Sequence, residues 1–391
     1  MVLALVILLG LFTTATYCLD ADRLSMDSTL VTQLTRNFVP TLIVWALMHA
    51  SSFVAFLITR AYNSDDKATI ESLHRNYKLY LGAVFFLPIP FLLYADLSIT
   101  LRLALAMEQV RFMMKMHAFV AETTWMTTKE KARSVTYQNL LYFLFAPTLV
   151  FRVKYPRTEK IDWWRVLGLA SQFAALIVVS FITIPSYLQR FSAYGTNALT
   201  PASYINDWLH TCLVAVEIIF FIWYGILHLW QNLFAELLTF ADRKFYDRWW
   251  LLGQYSRYYR EWNLVVHDWL HTYVYREFVK GKAKGNKGSA AIGVFVLSAI
   301  FHEYVNTIAL GFFYPVLFVL FVFTGPVVYF TSFYFRDWYD KYGNVFLFFS
   351  IFLGWTIQIV LYSSEYYARQ NCPQAGSFLF DKIFPRSWTC F

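Results

Sequence analysis

A histidine lies deep in an apolar run. From Ala291 to Ile308 the chain reads AIGVFVLSAIFHEYVNTI. If this run is a helix starting near Ser289, His302 lies about 20 Å along its axis, inside a hydrocarbon layer ~30 Å thick. Ionisable side chains at such depth are costly and usually functional. A neutral imidazole there could take a proton from a reacting hydroxyl. Ser298, four residues earlier, shares its helix face. The plainer reading is a packing histidine satisfied by a neighbouring carbonyl. Glu303 points about 100° away on a helix of this pitch and either pairs with a neighbouring helix or supports the histidine.

A second constellation runs from Phe240 to Phe278: FADRKFYDRWWLLGQYSRYYREWNLVVHDWLHTYVYREF. It is too aromatic and too charged for an ordinary loop. Arg and amphipathic rings belong at a membrane interface. Arg260, His267 and Lys287 could neutralise phosphates, while Tyr or Trp could stack on an adenine-like ring. The alternative is an interfacial helix that only anchors the protein. Asn263, followed by Leu264, Val265 and Val266, must find partners if buried. Its amide could donate to a carbonyl oxygen that gains negative charge. Other schemes lack their residues: no G-x-S-x-G elbow, Walker loop, Rossmann glycine fingerprint, or Cys-x-x-Cys or His-Glu-x-x-His metal spacing occurs. The pattern favours direct transfer assisted by a base, with no metal.

Long apolar helices must position these groups. Hydrophobic residues make up 58% of the 391 and charged ones 15%, against roughly 25% charged in soluble domains. That composition excludes a soluble enzyme and leaves little surface for nucleic acid. Nine spans are expected, near 1–18, 38–60, 78–98, 99–120, 164–186, 205–240, 289–310, 314–335 and 344–366. They form one all-α, polytopic membrane domain over residues 1–391. The first span is expected to be a retained helix rather than a cleaved signal. Leu140–Phe151 is too short to span easily, contains Pro147, and is expected to be interfacial or re-entrant. Most of the 33 Lys and Arg fall in 61–77, 121–163, 241–288 and 336–343. The bias predicts a cytosolic N-terminus and a lumenal tail over 367–391. The segment 280–287 (KGKAKGNK) reads as a flexible solvated loop. An oxidising lumen permits a Cys372–Cys390 disulfide.

At this level of detail the chain resembles the sterol O-acyltransferase branch of the membrane-bound O-acyltransferase family. FADRKFYDRWW resembles its F-Y-x-D-W-W-N box, YYREWNLVVHDWL its asparagine segment, and SAIFHEY the surroundings of its histidine. FFYPVLFVLF and the tail YARQNCP…PRSWTC extend the likeness to the end; LYFLFAPTL and EQVRFMMKMHAFV extend it back to about residue 105. The resemblance implies an endoplasmic-reticulum enzyme that transfers a fatty acyl group from acyl-CoA, a co-substrate, to a sterol hydroxyl. It needs no further cofactor and acts as a homo-oligomer among membrane lipids. His302 and Asn263 match the catalytic positions. Arg260, His267, Tyr275, Lys287 and Ser298 match positions along the acyl-CoA path. The box departs from the pattern. It reads Phe245-Tyr246-Asp247-Arg248-Trp249-Trp250-Leu251, with Arg248 at the usual Asp and Leu251 at the usual Asn. The family's long cytosolic leader, which supports oligomer assembly, is expected to be absent before the first span. Three other readings stay open. One is the diacylglycerol acyltransferase branch, which has P-V-H-K-W where this chain has Val265 to Trp269 and lacks the RSWTC tail. The second is a transporter with His302 on a proton path, and the third a non-catalytic lipid-binding relative with the altered box.

Overall fold

The computed structural model describes residues 36–61, 67–124, 135–196, 200–280, 286–374 and 378–388. Long apolar runs become helices because lipid offers backbone groups no partner outside the chain. We label the helices α1 (Phe38–Ala61), α2 (Lys67–Phe86, continuing through Pro88–Tyr94), α3 (Ile99–Thr124), α4 (Tyr137–Phe145), α5 (Trp163–Leu188), α6 (Ala202–Leu237), α7 (Tyr255–Glu261), α8 (Leu264–Lys280), α9 (Lys287–Leu310), α10 (Val316–Tyr334), α11 (Arg336–Asn371) and α12 (Phe378–Ile383). Among the described residues, an Arg157–Phe240 bridge is the one piece of β pairing.

Seven described helices are long and apolar enough to cross a membrane. The expected span over 99–120 is not among them. Its helix, α3, is observed, but Arg102, Glu108, Arg111, Lys115 and Glu122 interrupt its apolar surface. Those charges are accommodated by protein. Glu108 accepts from Arg111 Nη2 at 2.5 Å and Nε at 2.6 Å, and from Trp45 Nε1 at 3.3 Å. Lys115, 1% exposed, donates to the carbonyls of Phe143, Leu144 and Ala146 at 2.5, 3.0 and 2.8 Å. These carbonyls end α4, which has no next turn because Pro147 follows; a cation is favoured at such a terminus. The short segment expected over Leu140–Phe151 is thus a brief helix pinned to α3. The first expected span, 1–18, lies outside the described residues. The last, expected over 344–366, extends to 36 residues.

The contacts sort the connections onto two faces. On one, Thr158 donates to Thr239, Glu236 accepts from Asp162, and Gln254 donates to Asp340. On the other, Phe313 donates to Lys382 and Asn371 to Tyr194, while Asn37 donates to Asp96. The first face carries the basic residues Arg152, Lys154, Arg157, Lys160, Arg243, Lys244, Arg248, Arg257 and Arg260. Helices α1, α2, α3, α5, α6, α9, α10 and α11 run alternately between the two.

The tail folds onto the second face through buried ions. Glu365, fully buried, accepts from Arg369 Nε at 2.5 Å, from the Arg386 amide at 3.0 Å and from the Ser387 amide at 2.9 Å. Arg386 donates twice to Asp381, at 2.6 and 2.7 Å. Cys372 is buried at the end of α11. Its expected partner, Cys390, lies outside the described residues.

Candidate active site

Helix α9 starts where Asn286 Oδ1 accepts from the Ser289 amide at 2.7 Å. It ends at Gly311, whose φ of 79° is the left-handed conformation that glycine adopts at a helix end. Between these ends, His302 Nδ1 lies 2.7 Å from the Ser298 carbonyl and 3.4 Å from Ser298 Oγ. A carbonyl only accepts, so Nδ1 carries the proton and Nε2 keeps its lone pair. Phe321 stacks on the imidazole, with centroids 4.5 Å apart and planes at 27°. Protein atoms surround His302 closely, yet its side chain is accessible. Glu303 turns the other way. It is buried and accepts from the Phe318 amide at 3.0 Å and from Tyr362 Oη at 3.0 and 3.1 Å.

Asn263 caps α8: its Oδ1 accepts from the Val266 amide at 3.1 Å, which leaves its NH2 to donate elsewhere. The FYDRWW box holds the chain on both sides of it. Phe245 O accepts from the Leu264 amide, and the Asp247 amide donates to Glu261 O, both at 2.9 Å. Trp249 meets Trp262 edge-on at 4.6 Å. Phe245 and Trp249 are buried, whereas the departing positions, Arg248 and Leu251, are exposed. The departures therefore fall outside the packed part of the box. Tyr246 Oη lies 2.8 Å from His228 Nδ1, and Trp250 packs in T-shaped contact with Trp223. Asp247 pairs with Lys244 at 2.8 Å, which holds its carboxyl below the usual carboxylate range.

Helix α8 is fixed to α3 along one side, where Trp269 Nε1 donates to Met114 O and Tyr273 Oη to Glu122, both at 2.9 Å. On another side, rings at every fourth residue form a column. His267 stacks on His271 at 5.9 Å and His271 on Tyr275 at 5.5 Å, with planes 14° and 17° apart. Burial, then the adjacent His267, pushes the His271 imidazole down. Arg260 is exposed and 3.8 Å from Glu261; Lys287 is exposed at the first turn of α9. So Ser298 and His302 are in contact, and His267 and Tyr275 are joined through His271. Among the described residues, no hydrogen bond or ring contact links Asn263, Arg260, Lys287 or the ring column to His302.

A model of the membrane-bound O-acyltransferase family matches residues 5–364. The chain belongs to that family. It is 36% identical over 406 residues to sterol O-acyltransferase 1 of Chlorocebus aethiops, covering all of this chain and 73% of that protein. The mouse protein of the same name is also 36% identical, with 75% of its length covered. Sterol O-acyltransferase 2 of Homo sapiens is 37% identical over 297 residues, 74% of this chain and 56% of that one.

In this membrane-bound O-acyltransferase the structure adds three residues that the sequence reading did not single out. His271 was detectable, since it lies four residues from both His267 and Tyr275. Phe321 and Tyr362 were not, because only packing between α9, α10 and α11 brings them to His302 and Glu303. Two of the π-wound turns, His271–Tyr275 and Leu320–Thr324, carry site residues, and such turns often mark functional positions.

Proposed function

We propose that this enzyme transfers a long-chain acyl group from acyl-CoA to the 3-hydroxyl of a sterol, forming a storage ester. The observation that carries the reading is the His302 Nδ1 bond to the Ser298 carbonyl, which leaves Nε2 to accept a proton inside an apolar helix bundle. The relatives named sterol O-acyltransferase supply the substrate class. Nε2 of His302 takes the sterol hydroxyl proton as the oxygen attacks the thioester carbonyl. The Asn263 amide donates to the carbonyl oxygen as charge develops. The C–S bond then breaks, and the imidazolium returns its proton to the CoA thiolate. No acyl-enzyme forms. Arg260 and Lys287 hold CoA phosphates at the basic face, and His267, Tyr275 and Ser298 line the acyl-CoA path. That face is cytosolic and the folded tail lumenal, in the endoplasmic-reticulum membrane. The chain is one domain, works as a homo-oligomer, and has its tail closed by Cys372–Cys390.

Purified protein is incubated with labelled acyl-CoA and competing sterol and diacylglycerol. The label is expected in sterol ester. His302→Ala should lose nearly all turnover, beyond the ~10²–10⁴-fold typical of a positioned base, and Asn263→Ala roughly 10²–10³-fold. Both should keep acyl-CoA binding within a few-fold. Substantial esterification by His302→Ala, label in triacylglycerol, or an acyl group covalently retained without sterol would each overturn the reading.

A further inference from the structure

Glu303 follows His302 in the chain but faces protein, 4% exposed. Its carboxylate receives the Phe318 amide and the Tyr362 hydroxyl. The same hydroxyl accepts from the Leu317 amide at 3.2 Å. Leu317 and Phe318 lie in the first turn of α10, a 19-residue helix whose cap position, Pro315, has no side chain that can cap it. The first amides of a helix have no partner within it, and an acceptor with negative charge suits that end. One turn on, in the π-wound stretch Leu320–Thr324, Phe321 lies on the His302 ring.

Two adjacent residues of α9 thus grip one stretch of α10 at two points. The Nδ1–Ser298 bond fixes one edge of the imidazole but leaves the ring free to swing about it. The Phe321 face removes that swing, provided α10 starts in the right place. We infer that Glu303 is a positioning residue: by clamping the first turn of α10 through Phe318 and Tyr362, it sets Phe321 against His302 and fixes the plane of the ring. Glu303 is not a proton partner of His302, since its donors come from α10 and α11 and no hydrogen bond joins it to the imidazole. The inference rests on the reading of His302 as the base, and its test includes readouts that do not depend on turnover.

Glu303→Ala, Glu303→Gln and Phe321→Leu are compared with wild type in three measurements. These are kcat with acyl-CoA and sterol, hydrogen exchange of amides 316–324, and the rate at which diethyl pyrocarbonate modifies His302. A misplaced catalytic group costs up to roughly 100-fold in rate. Glu303→Ala should lose roughly 10- to 100-fold in kcat with acyl-CoA affinity little changed. It should also lose exchange protection over 316–324 and expose His302 to several-fold faster modification. Glu303→Gln keeps an acceptor for the Phe318 amide and should stay near wild type in all three. Phe321→Leu should repeat the kcat loss and faster modification while keeping the protection at Phe318. Glu303→Gln as inactive as Glu303→Ala with protection intact would show that the charge itself acts, and would overturn the inference. So would unchanged exchange over 316–324 in Glu303→Ala. Should Glu303→Ala not fold, Phe321→Leu with wild-type kcat and wild-type His302 modification overturns it. If the wild-type enzyme makes no sterol ester, the exchange and modification data still decide whether Glu303 holds α10 against His302.

Discussion

At its start α11 meets the box loop through amides, a hydroxyl and backbone, with Asp340 the one carboxylate among them, and at its end it meets the tail through buried ions. Asn344 Nδ2 donates to the carbonyls of Trp250 and Leu252, both at 2.9 Å, and Tyr255 bonds to Ser350. Gly253 and Gly343 bring backbone against backbone. A Cβ on Gly343 would lie 2.4 Å from Gly253 O, and one on Gly253 would lie 2.4 Å from Tyr339 O. Burial pushes the Tyr255 phenol up to about 12, so the phenol stays neutral across the physiological range. At the other end, Glu365, Arg369, Asp381 and Arg386 satisfy one another, and Asp381 holds the Arg386 guanidinium above its usual value. The difference separates two ways of fixing a helix. Close backbone approach tolerates no added atom but is indifferent to charge. An ion cluster tolerates small shifts of shape but not the loss of one partner.

Glu365→Ala tests the ionic end and should have the largest effect. It leaves the Arg369 Nε and the Arg386 and Ser387 amides without their acceptor, a loss typically of about 3–5 kcal/mol for a broken buried pair. Thermal unfolding should start lower, and protease should reach 378–388 in the variant first; an unchanged tail would refute the ionic lock. Next is Gly343→Ala. Its methyl meets backbone that cannot swing aside, so about 1–3 kcal/mol of destabilisation is expected. Turnover should fall with it, because the displaced loop also holds Asn263. A variant as stable and active as wild type would mean that the two glycines are not in contact. The smallest effect belongs to Lys244→Ala. Its partner, Asp247, has a lowered carboxyl pKa, so any stability from the pair is present above the ordinary carboxylate range. It is lost as pH falls through the lowered value. Lys244 is exposed and Asp247 partly so, and water screens the pair, so melting curves of variant and wild type should coincide at every pH. A gap at neutral pH that closes in acid would show that the box end is ionic too.

The membrane class, most spans and the placing of Ser298 and His302 on one helix face were legible in the sequence. Apolar length and the i, i+4 spacing of Ser298 and His302 are local properties of one helix. Helix α3 was harder to read, because its buried ions are satisfied partly by Trp45, His49 and the end of α4, all distant in sequence. The role of the box was hidden for the same reason. Its altered Arg248 and Leu251 stand out, yet the packed residues are Phe245 and Trp249, and their partners range from Ala146 and Trp223 to Trp262, Val265 and Phe348. Glu303 read equally as helix partner or catalytic support, and only the position of Phe318 decides between them.

Lys115 has a consequence for how the chain is made. A charge at the centre of a helix opposes entry into lipid by roughly 2.5–3.5 kcal/mol, and α3 carries Glu108, Arg111 and Lys115 within two turns. The three carbonyls that accept from Lys115 follow it by 28, 29 and 31 residues, so they emerge from the ribosome after it does. Helix α3 is therefore expected to enter the membrane stably only together with α4. A glycosylation reporter after residue 124 should find α3 unable to span on its own and able to do so once residues 135–150 are included.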